Sequence, residues 1–188
     1  MMEPILLNIP DEISTKRLQM RRPKFDDGAI INAAVVESAR ELARWMPWAS
    51  PTPTAEETEK WVRGAVAHFF AREQFHFLLF SKGSDDYLGT CGMHHIDWKT
   101  PQVEIGYWLR DSRRGNGFMT EAVGGLVDFA SNIVRARRIE IRCNALNVPS
   151  RRVAERAGFT LEGILRNAGR DHRDELCDTC IYALIPPP

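Results

Sequence analysis

Apolar and polar residues follow strand-like patterns in seven segments of the chain. Residues 15–22 (TKRLQMRR) and 137–145 (RRIEIRCNA) alternate apolar and polar positions, as half-buried β-strands do. Apolar segments bounded by turn residues predict five further strands, at 75–82, 87–97, 102–110, 159–168 and 175–185. The turn residues at 83–86 (GSDD) connect the second and third of the seven strands.

The segments between these strands have apolar residues at helical spacing. Four segments predict helices: 25–44 (with a break), 54–73, 118–134 and 147–159. Thr54 and Glu57 have the spacing of a capping box, and Pro149 and Gly158 suit the first turn and the end of the last helix. Strands and helices alternate in the order β-α-α-β-β-β-α-β-α-β-β, which predicts a mixed α/β fold with one sheet in one domain, 1–188.

The charge balance and the absence of long apolar runs narrow the class of protein. Lys plus Arg and Asp plus Glu each number 25, so the formal net charge is 25 − 25 = 0. Proteins dedicated to nucleic acid usually carry a basic surplus, so we expect no direct nucleic-acid partner. No apolar run approaches the roughly 20 residues of a membrane helix, and the segment MMEPILLNIPDE lacks the basic start of a secretory signal. We therefore expect a cytoplasmic protein without a membrane partner.

The four cysteines are too few and too scattered for a disulfide framework. Cys177 and Cys180 form a C-x-x-C, but residues three apart on a strand point to opposite faces, which disfavours a redox pair or a shared metal. Cys91, His94 and His95 suggest zinc ligands, but without a second matched pair they are better interpreted as polar and core positions of a strand. We expect reduced cysteines and no metal.

A basic, glycine-rich turn lies between a predicted strand and a predicted helix, in the sequence RRGNGFMTEAV at 113–123. Such a turn leaves backbone N–H groups unpaired at the helix N-terminus, and glycine lets a phosphate approach the backbone closely. Arg113 and Arg114 add positive charge at the same place. The turn indicates an anion site, although a solvated turn that uses glycine for its shape fits the same residues.

Two other classes of protein fit parts of this pattern. Gly115-x-Gly117-x-x-Thr120, with Glu140 about twenty residues further on, partly matches the fingerprint of a dinucleotide-dependent oxidoreductase. The third glycine is missing, however, and Glu140 lies near the start of its strand. The basic run RARR at 135–138 suggests an RNA-binding module, but no aromatic residues interleave with it.

Three motifs occur in order in the second half of the chain: QVEIGYWLR, RRGNGFMTEAV and N-x-x-S-x-R-x-A-E-x-x-G-F. Together they closely resemble the GNAT superfamily of acetyl-CoA-dependent N-acetyltransferases. Within it they resemble the RimJ/RimL type, which acetylates N-terminal α-amines of ribosomal proteins. The resemblance covers essentially the whole chain and is strongest over 104–163. It implies a mostly antiparallel central sheet of about seven strands, flanked by helices and splayed between the fourth and fifth predicted strands.

This resemblance implies acetyl-CoA as the cofactor, bound at the glycine turn. The superfamily's loop, Q/R-x-x-G-x-G/A, corresponds to Arg114 through Met119. Met119 departs from the pattern, but a backbone amide binds there whatever the side chain. Leu109 and Arg110 are implied to act through free backbone groups at the splayed strand end. The implied cofactor-binding residues are Leu109, Arg110, Arg113, Arg114, Gly115, Asn116, Gly117, Phe118, Met119, Thr120, Asn147 and Ser150.

The resemblance also implies direct attack of an amine on the thioester, so Cys143 is not needed as a nucleophile and is assigned to the core. Glu104, beside Gly106, is the candidate general base, directly or through water, with a surface or salt-bridged carboxylate as the alternative. Ser150 is the candidate general acid for the leaving thiolate, and Asn147 is implied to orient the pantetheine arm. Helix capping is the alternative role for both.

The expected acceptor is the N-terminal α-amine of a ribosomal or other protein. Deprotonation at pH 7 costs an α-amine about 1.4 kcal/mol and a lysine about 4.6 kcal/mol, so a single carboxylate suits the α-amine better. Polyamine, aminoglycoside and aminoacyl-nucleotide acceptors are alternatives within the same superfamily. Candidates for lining the acceptor cleft are Trp45, Trp48, His172 and Asp174. A homodimer is expected, because relatives often pair.

Overall fold

The computed structural model describes residues 3–187, and eight strands in it form one open sheet. The strands are β1 (Glu12–Ser14), β2 (Leu18–Arg21), β3 (Phe75–Ser81), β4 (Tyr87–Asp97), β5 (Gln102–Leu109), β6 (Arg138–Asn144), β7 (Thr160–Arg170) and β8 (Leu176–Leu184). They lie in the order β1-β2-β3-β4-β5-β6-β8-β7. Every neighbouring pair is antiparallel except β5 and β6, which are parallel. The mixed, mostly antiparallel sheet that the sequence predicts is confirmed.

Among the residues that the structure describes, five α-helices flank the sheet, each close to a predicted position. They are α1 (Gly28–Glu37), α2 (Ala39–Trp45), α3 (Ala55–Ala71), α4 (Phe118–Phe129) and α5 (Val148–Arg156). The capping box of α3 is present: the Glu57 N–H donates to Thr54 Oγ1 at 3.2 Å, and the Thr54 N–H donates to Glu57 Oε2 at 2.8 Å. Pro149 lies in the first turn of α5, and Gly158 follows its end with a φ of +87°. These capping residues explain why the ends of α3 and α5 could be predicted from the sequence.

Apolar side chains cover both faces of the sheet because β3 alternates between them. Phe77 and Leu79 belong to a large buried cluster that includes α4 residues, whereas Leu78 and Phe80 belong to a smaller cluster with α1 residues. A strand buried on both faces has an almost continuous apolar sequence, as FHFLLF does. Within residues 3–187 no helix has the length and apolar character needed to cross a bilayer.

The first predicted strand is the main difference between expectation and structure. Residues 15–22 do not form one strand, because Thr15 turns the chain: its N–H donates to the Leu18 carbonyl at 2.9 Å, and its Oγ1 accepts from the Leu18 N–H at 3.1 Å. The turn leads back to β1, which has only three residues and therefore no readable alternation. The sheet thus has eight strands where the sequence predicts about seven. The predicted break in the first helix is confirmed and falls at Ser38.

Candidate active site

The edge between β5 and β6 is open over most of its length. The two strands pair only at residues 102–104, opposite residues 138–140. Beyond Glu104 they separate, while the other edge of β5 stays paired with β4 as far as Leu109. This is the splay between the fourth and fifth predicted strands, and it leaves room for a ligand within the sheet.

The glycine turn presents a bare helix N-terminus beside this opening. Gly115 and Gly117 have φ values of +79° and +75°, which glycine adopts without strain. Gly117 is the N-cap of α4, and no side chain caps the helix. A Cβ built on Gly115 would meet nothing within 4 Å, so the turn is open to a ligand. Uncapped N–H groups and the positive end of the helix dipole together form an anion site.

A cavity of about 460 Å³, here named the helix-side cavity, lies at this turn. Nine residues predicted to hold a cofactor line it: Leu109, Arg114, Gly115, Gly117, Phe118, Met119, Thr120, Asn147 and Ser150. The other three predicted residues, Arg110, Arg113 and Asn116, lie outside it. The structure therefore brings most of the predicted set together around one space.

Arg110 is held on the far side of the strand end. Its guanidinium Nε lies 2.6 Å from Glu37 Oε2, and its backbone N–H donates to the Leu88 carbonyl at 2.8 Å. Its amide is thus already bound, although the sequence analysis expects a free one. The physical reason is that β5 keeps its antiparallel partner on the β4 side to its very end.

Arg113 and Arg114 both lie beside acidic groups. Arg113 Nη2 lies 3.0 Å from Asp86, and Arg114 Nη1 lies 2.9 Å from Asp111. Of these two arginines, only Arg114 lines the helix-side cavity. The positive groups at the cavity are therefore the α4 N-terminus and Arg114, joined by Arg152 and Arg156, which also line it.

Arg17, which the sequence analysis does not identify, supports the glycine turn from the turn between β1 and β2. Its Nη1 donates to the Asn116 carbonyl at 3.0 Å, and its guanidinium lies 4.7 Å from the centre of the Phe118 ring. Glu121 fixes Arg17 by accepting from its Nε at 2.6 Å and also accepts from Thr15 Oγ1 at 2.6 Å. Burial raises the pKa of Glu121, but hydrogen bonds from Thr15 and Arg17 outweigh it and hold the pKa below its ordinary value.

Tyr107 and Ser150 contact each other where the two strands have separated. The Tyr107 hydroxyl donates to the Ser150 carbonyl at 3.1 Å, and its oxygen lies 3.1 Å from Ser150 Oγ. Because the phenolic proton serves the carbonyl, the Ser150 hydroxyl donates to the Tyr107 oxygen. Asn147 Oδ1 accepts from the Ser150 N–H at 3.2 Å, so Asn147 caps α5 as the alternative interpretation expects.

Two ionisable groups near this contact are kept neutral. Burial raises the pKa of Tyr107 well above its usual range, because a phenolate would lose its hydration. Burial also raises the pKa of the Cys143 thiol to about 11. Both groups are therefore protonated at neutral pH, and Cys143 is a poor nucleophile.

A second cavity, of about 650 Å³, borders Glu104. We name it the tryptophan-lined cavity because four of the five tryptophans of the chain line it: Trp45, Trp48, Trp61 and Trp108. The ring centres of Trp48 and Trp108 lie 6.2 Å apart. Such a wall offers aromatic faces that attract cationic amines.

The predicted acceptor residues divide between two spaces. Trp45 and Trp48 line the tryptophan-lined cavity, whereas His172 and Asp174 line a separate cavity of about 390 Å³ that Trp45 also borders. Trp61 and His76 line the tryptophan-lined cavity too, and the sequence analysis does not identify them. Their position in a regular helix and strand gives no local signal of a site.

Glu104 lies on β5 opposite His94 of β4, and its side chain is only 17% exposed. Its Oε2 lies 3.0 Å from His95 Nδ1, which lies 3.2 Å from His94 Nδ1. Across residues 3–187, no arginine or lysine forms an ion pair with Glu104. Burial lowers the pKa of His94, although the negative charge of Glu104 acts in the opposite direction. The lowered pKa favours a neutral His94 ring. Glu104 is thus a carboxylate on a cavity wall, paired only with an imidazole among the described residues.

The two cavities meet at the Tyr107–Ser150 contact. Residues lining both are Trp45, Met46, Tyr107, Trp108, Asn147 and Ser150. A ligand anchored at the α4 N-terminus and a second ligand beside Glu104 would approach each other there. This arrangement suits transfer of a group between two ligands, with a carboxylate on one side and hydroxyls on the other.

Comparison with known proteins supports such a transfer. A profile of the acetyltransferase (GNAT) domain matches residues 17–160. The ribosomal-protein-serine acetyltransferase of Escherichia coli (strain K12) is 31% identical over 144 residues, covering 77% of this chain and 79% of that protein.

Solved structures show the same fold. RimL, a ribosomal L7/L12 α-N-protein acetyltransferase solved with coenzyme A, gives a TM-score of 0.87 at 26% identity, covering 93% of this chain and 97% of that one. The microcin C7 self-immunity acetyltransferase MccE, solved with acetyl-CoA and AMP, gives 0.84 at 21% identity over 92% and 94% of the two chains, a likeness of fold alone. The profile, the sequence relative and the splayed sheet agree, and the chain belongs to the GNAT family of acetyltransferases.

Proposed function

We propose that this protein transfers the acetyl group of acetyl-CoA to the N-terminal α-amine of a ribosomal or other protein in the cytoplasm. The observation that carries the proposal is the junction of the two cavities at Tyr107 and Ser150, with a bare helix N-terminus on one side and Glu104 on the other. The names of the Escherichia coli relative and of RimL support a ribosomal-protein acceptor. Acetyl-CoA, when bound, supplies an acetyl group activated as a thioester.

The helix-side cavity fits the phosphate-bearing part of coenzyme A. The first-turn N–H groups of α4 carry no side-chain cap, and the space around Gly115 leaves an approach to them open. Met119, where the family loop has Gly or Ala, is only 6% exposed and packs in the core, which leaves its amide available. Arg114 contributes charge at the cavity wall, while Arg110, Arg113 and Asn116 lie outside the cavity.

Glu104 and Ser150 carry the proton transfers in this proposal. Glu104 accepts the proton of the attacking amine, directly or through water, from the tryptophan-lined cavity. Ser150 holds a proton at Oγ on the opposite side and gives it to the leaving thiolate. Tyr107, at 3.1 Å from Ser150 Oγ, keeps that hydroxyl in place and is itself protonated at neutral pH because burial raises its pKa.

The acceptor is an α-amine because one carboxylate suffices for it. The site offers Glu104 with a histidine neighbour, without an arginine or lysine among residues 3–187 to pair with it. Such a base meets the cost of about 1.4 kcal/mol for an α-amine more readily than about 4.6 kcal/mol for a lysine. The N-terminus of the acceptor protein would enter through the tryptophan-lined cavity.

A small-molecule amine is the second candidate acceptor, and the tryptophan-lined cavity favours it. Its volume of about 650 Å³ falls within the roughly 300–1,000 Å³ of small-ligand sites. Four tryptophans give it the apolar, aromatic lining of such sites. Polyamines, aminoglycosides and aminoacyl-nucleotides are therefore the acceptors to compare with peptides.

The two remaining alternatives have little structural support. Glu140, the possible ribose contact of an oxidoreductase, lies near the start of β6 and receives a hydrogen bond from Arg138 Nε at 2.6 Å. Arg138, part of the basic run that suggests RNA binding, is also paired with Glu162. Membership of the GNAT family accounts for the glycine turn without either class.

Calorimetric titration with acetyl-CoA, and with NADH as the control ligand, tests the cofactor. We expect micromolar binding of acetyl-CoA and none of NADH. A thiol-release assay then compares a short peptide with a free N-terminus, the same peptide blocked at its N-terminus but carrying a lysine, and the small amines. Preference for NADH would overturn the transferase proposal, and turnover of small amines alone would replace the acceptor. Sedimentation of the same sample tests the expected homodimer.

A further inference from the structure

We propose that His94, His95 and Glu104 form a binding site for one zinc-like divalent cation on the wall of the tryptophan-lined cavity. Each residue offers one ligand atom, and these atoms all lie within 4.8 Å of one another. Two imidazoles and a carboxylate are a ligand set of catalytic zinc sites, in which the fourth position stays open. The sequence analysis combined the two histidines with Cys91 instead, and Cys91 is fully buried in the core.

An irregular backbone brings both histidines to the same side of β4. Successive strand residues normally point to opposite faces of a sheet. Here the β4–β5 register shifts between His94 and Asp97, and His95 has a φ of +49°. The two imidazole centres consequently lie 4.7 Å apart. This bulge allows adjacent residues to act as ligands of one ion.

The three side chains cannot form two full hydrogen bonds with one another. His95 Nδ1 lies 3.0 Å from Glu104 Oε2 and 3.2 Å from His94 Nδ1. A protonated His95 Nδ1 divides its single N–H between the carboxylate and His94 Nδ1, whereas an unprotonated one turns its lone pair toward those of the carboxylate. A cation bound by a lone pair from each residue would replace this weak arrangement.

Two of the three ligand spacings are close to those around tetrahedral zinc. Zinc–ligand bonds of about 2.0–2.1 Å at tetrahedral angles place neighbouring ligand atoms about 3.3 Å apart. Two separations are 3.0 and 3.2 Å, and the third is no longer than 4.8 Å. His95 is 78% exposed, so its ring is free to rotate and complete the geometry. Imidazole ligands suit Zn²⁺, Cu²⁺ and Ni²⁺ rather than Mg²⁺ or Ca²⁺.

Zinc at this site would compete with catalysis. A cation bound to Glu104 lowers the basicity of its carboxylate and so weakens it as the acceptor of the amine proton, and zinc therefore inhibits the transferase. This consequence rests on the proposed function, whereas the binding of zinc does not. The two parts therefore need separate measurements.

The experiment titrates the untagged full chain with zinc chloride by calorimetry, without acetyl-CoA or amine. We expect one zinc per chain and a loss of affinity of at least about 10-fold in His95→Ala, because even the outer-shell partners of a metal ligand contribute about 10- to 100-fold. His68→Ala is the matched control, because His68 Nδ1 contacts Glu73 at 2.6 Å on the exposed surface, with no second histidine in that pair. Magnesium chloride, titrated in the same way, should give no binding.

Three results would overturn the site: no zinc binding up to millimolar concentration, unchanged affinity in His95→Ala, or equal losses in His95→Ala and His68→Ala. The second part compares zinc inhibition of acetyl transfer in the wild type and His95→Ala, each relative to its own zinc-free rate. Zinc binding without inhibition would retain the cation site and contradict the role of Glu104 as the base.

Discussion

The two cavities that meet at Tyr107 and Ser150 are built in different ways. The helix-side cavity depends on backbone: two glycines with positive φ and the uncapped N–H groups of α4. The tryptophan-lined cavity depends on side chains from elements distant in sequence, among them α2, α3, β4 and β5. Ligand binding in the helix-side cavity should be lost when its backbone or its open space is altered. Binding in the tryptophan-lined cavity should weaken when individual side chains are removed.

The largest effect on cofactor binding is expected from Gly117→Trp, which strains a φ of +75° and fills the helix-side cavity. We expect acetyl-CoA affinity to fall by more than about 100-fold, or about 2.8 kcal/mol, in calorimetry. Gly83→Trp is the matched control, because Gly83 has a φ of +79° with open space around it and lies in the β3–β4 turn. Equal acetyl-CoA affinities in the two variants would show that the glycine turn at residues 115–117 does not bind the cofactor.

Glu104→Gln tests the side-chain-built cavity at its one carboxylate on β5. Removing a general base lowers kcat by roughly 10²- to 10⁴-fold, while acetyl-CoA affinity should stay unchanged. Glu140→Gln is the control, since Glu140 is the register partner of Glu104 on β6 but is hydrogen-bonded to Arg138. An active Glu104→Gln enzyme with an unaltered pH profile would remove Glu104 as the base.

Ser150→Ala probes the junction that both cavities share. The variant loses the hydroxyl that donates to Tyr107, although the bond from Tyr107 to the Ser150 carbonyl can persist. We expect kcat to fall by roughly 10- to 100-fold, near the lower end for general acids, because a thiolate is a good leaving group. Steady-state kinetics should show a smaller change in the KM for acetyl-CoA. A loss confined to that KM would assign Ser150 to binding alone.

Trp48→Ala should affect only the acceptor. The side chain is half exposed and packs beside Trp108, so the fold should tolerate its loss. Loss of one aromatic face costs about 0.5–1 kcal/mol, or roughly a two- to fivefold increase in the KM for the amine. The KM for acetyl-CoA, measured in the same experiment, serves as the internal control. A change in both constants would mean that the two cavities are not independent.

The smallest effect on activity is expected from Cys143→Ala. With a thiol pKa raised by burial to about 11, Cys143 is protonated at neutral pH, and kcat should change by less than about threefold. Alkylation of Cys143 by iodoacetamide, followed by mass spectrometry, should accelerate about tenfold per pH unit between pH 7 and 10, because the thiolate fraction rises at that rate below the pKa. Rapid labelling at pH 7 would contradict the elevated pKa.

Local patterns in the sequence suffice for most of the secondary structure and for the helix-side cavity. The capping box at Thr54, the apolar strand FHFLLF and the glycines at 115 and 117 each act within a few residues of themselves. The splay between β5 and β6 follows instead from the family resemblance, and the sequence analysis does not predict their parallel pairing. The three-residue strand β1 is too short for any pattern.

Contacts between distant residues explain what the sequence does not predict. Arg17 reaches Asn116 across 99 residues, and Tyr107 reaches Ser150 across 43. The shared side of His94 and His95 depends on a bulge whose backbone conformation has no signature in those residues. The position of Arg110 in its motif predicts a residue of the cofactor cavity. Its backbone N–H is instead bonded to β4 and its side chain to Glu37, so it lies outside that cavity.

The short pairing of β5 with β6 also has a consequence for how the protein unfolds. Five strands on one side and three on the other share backbone hydrogen bonds over only three register positions, at residues 102–104. The two halves of the sheet are therefore held together mainly by their shared apolar core, and amides of β5 that face the gap should exchange with solvent sooner than those that face β4. A ligand that bridges the gap would fasten the halves together, so thermal stability would rise with its concentration.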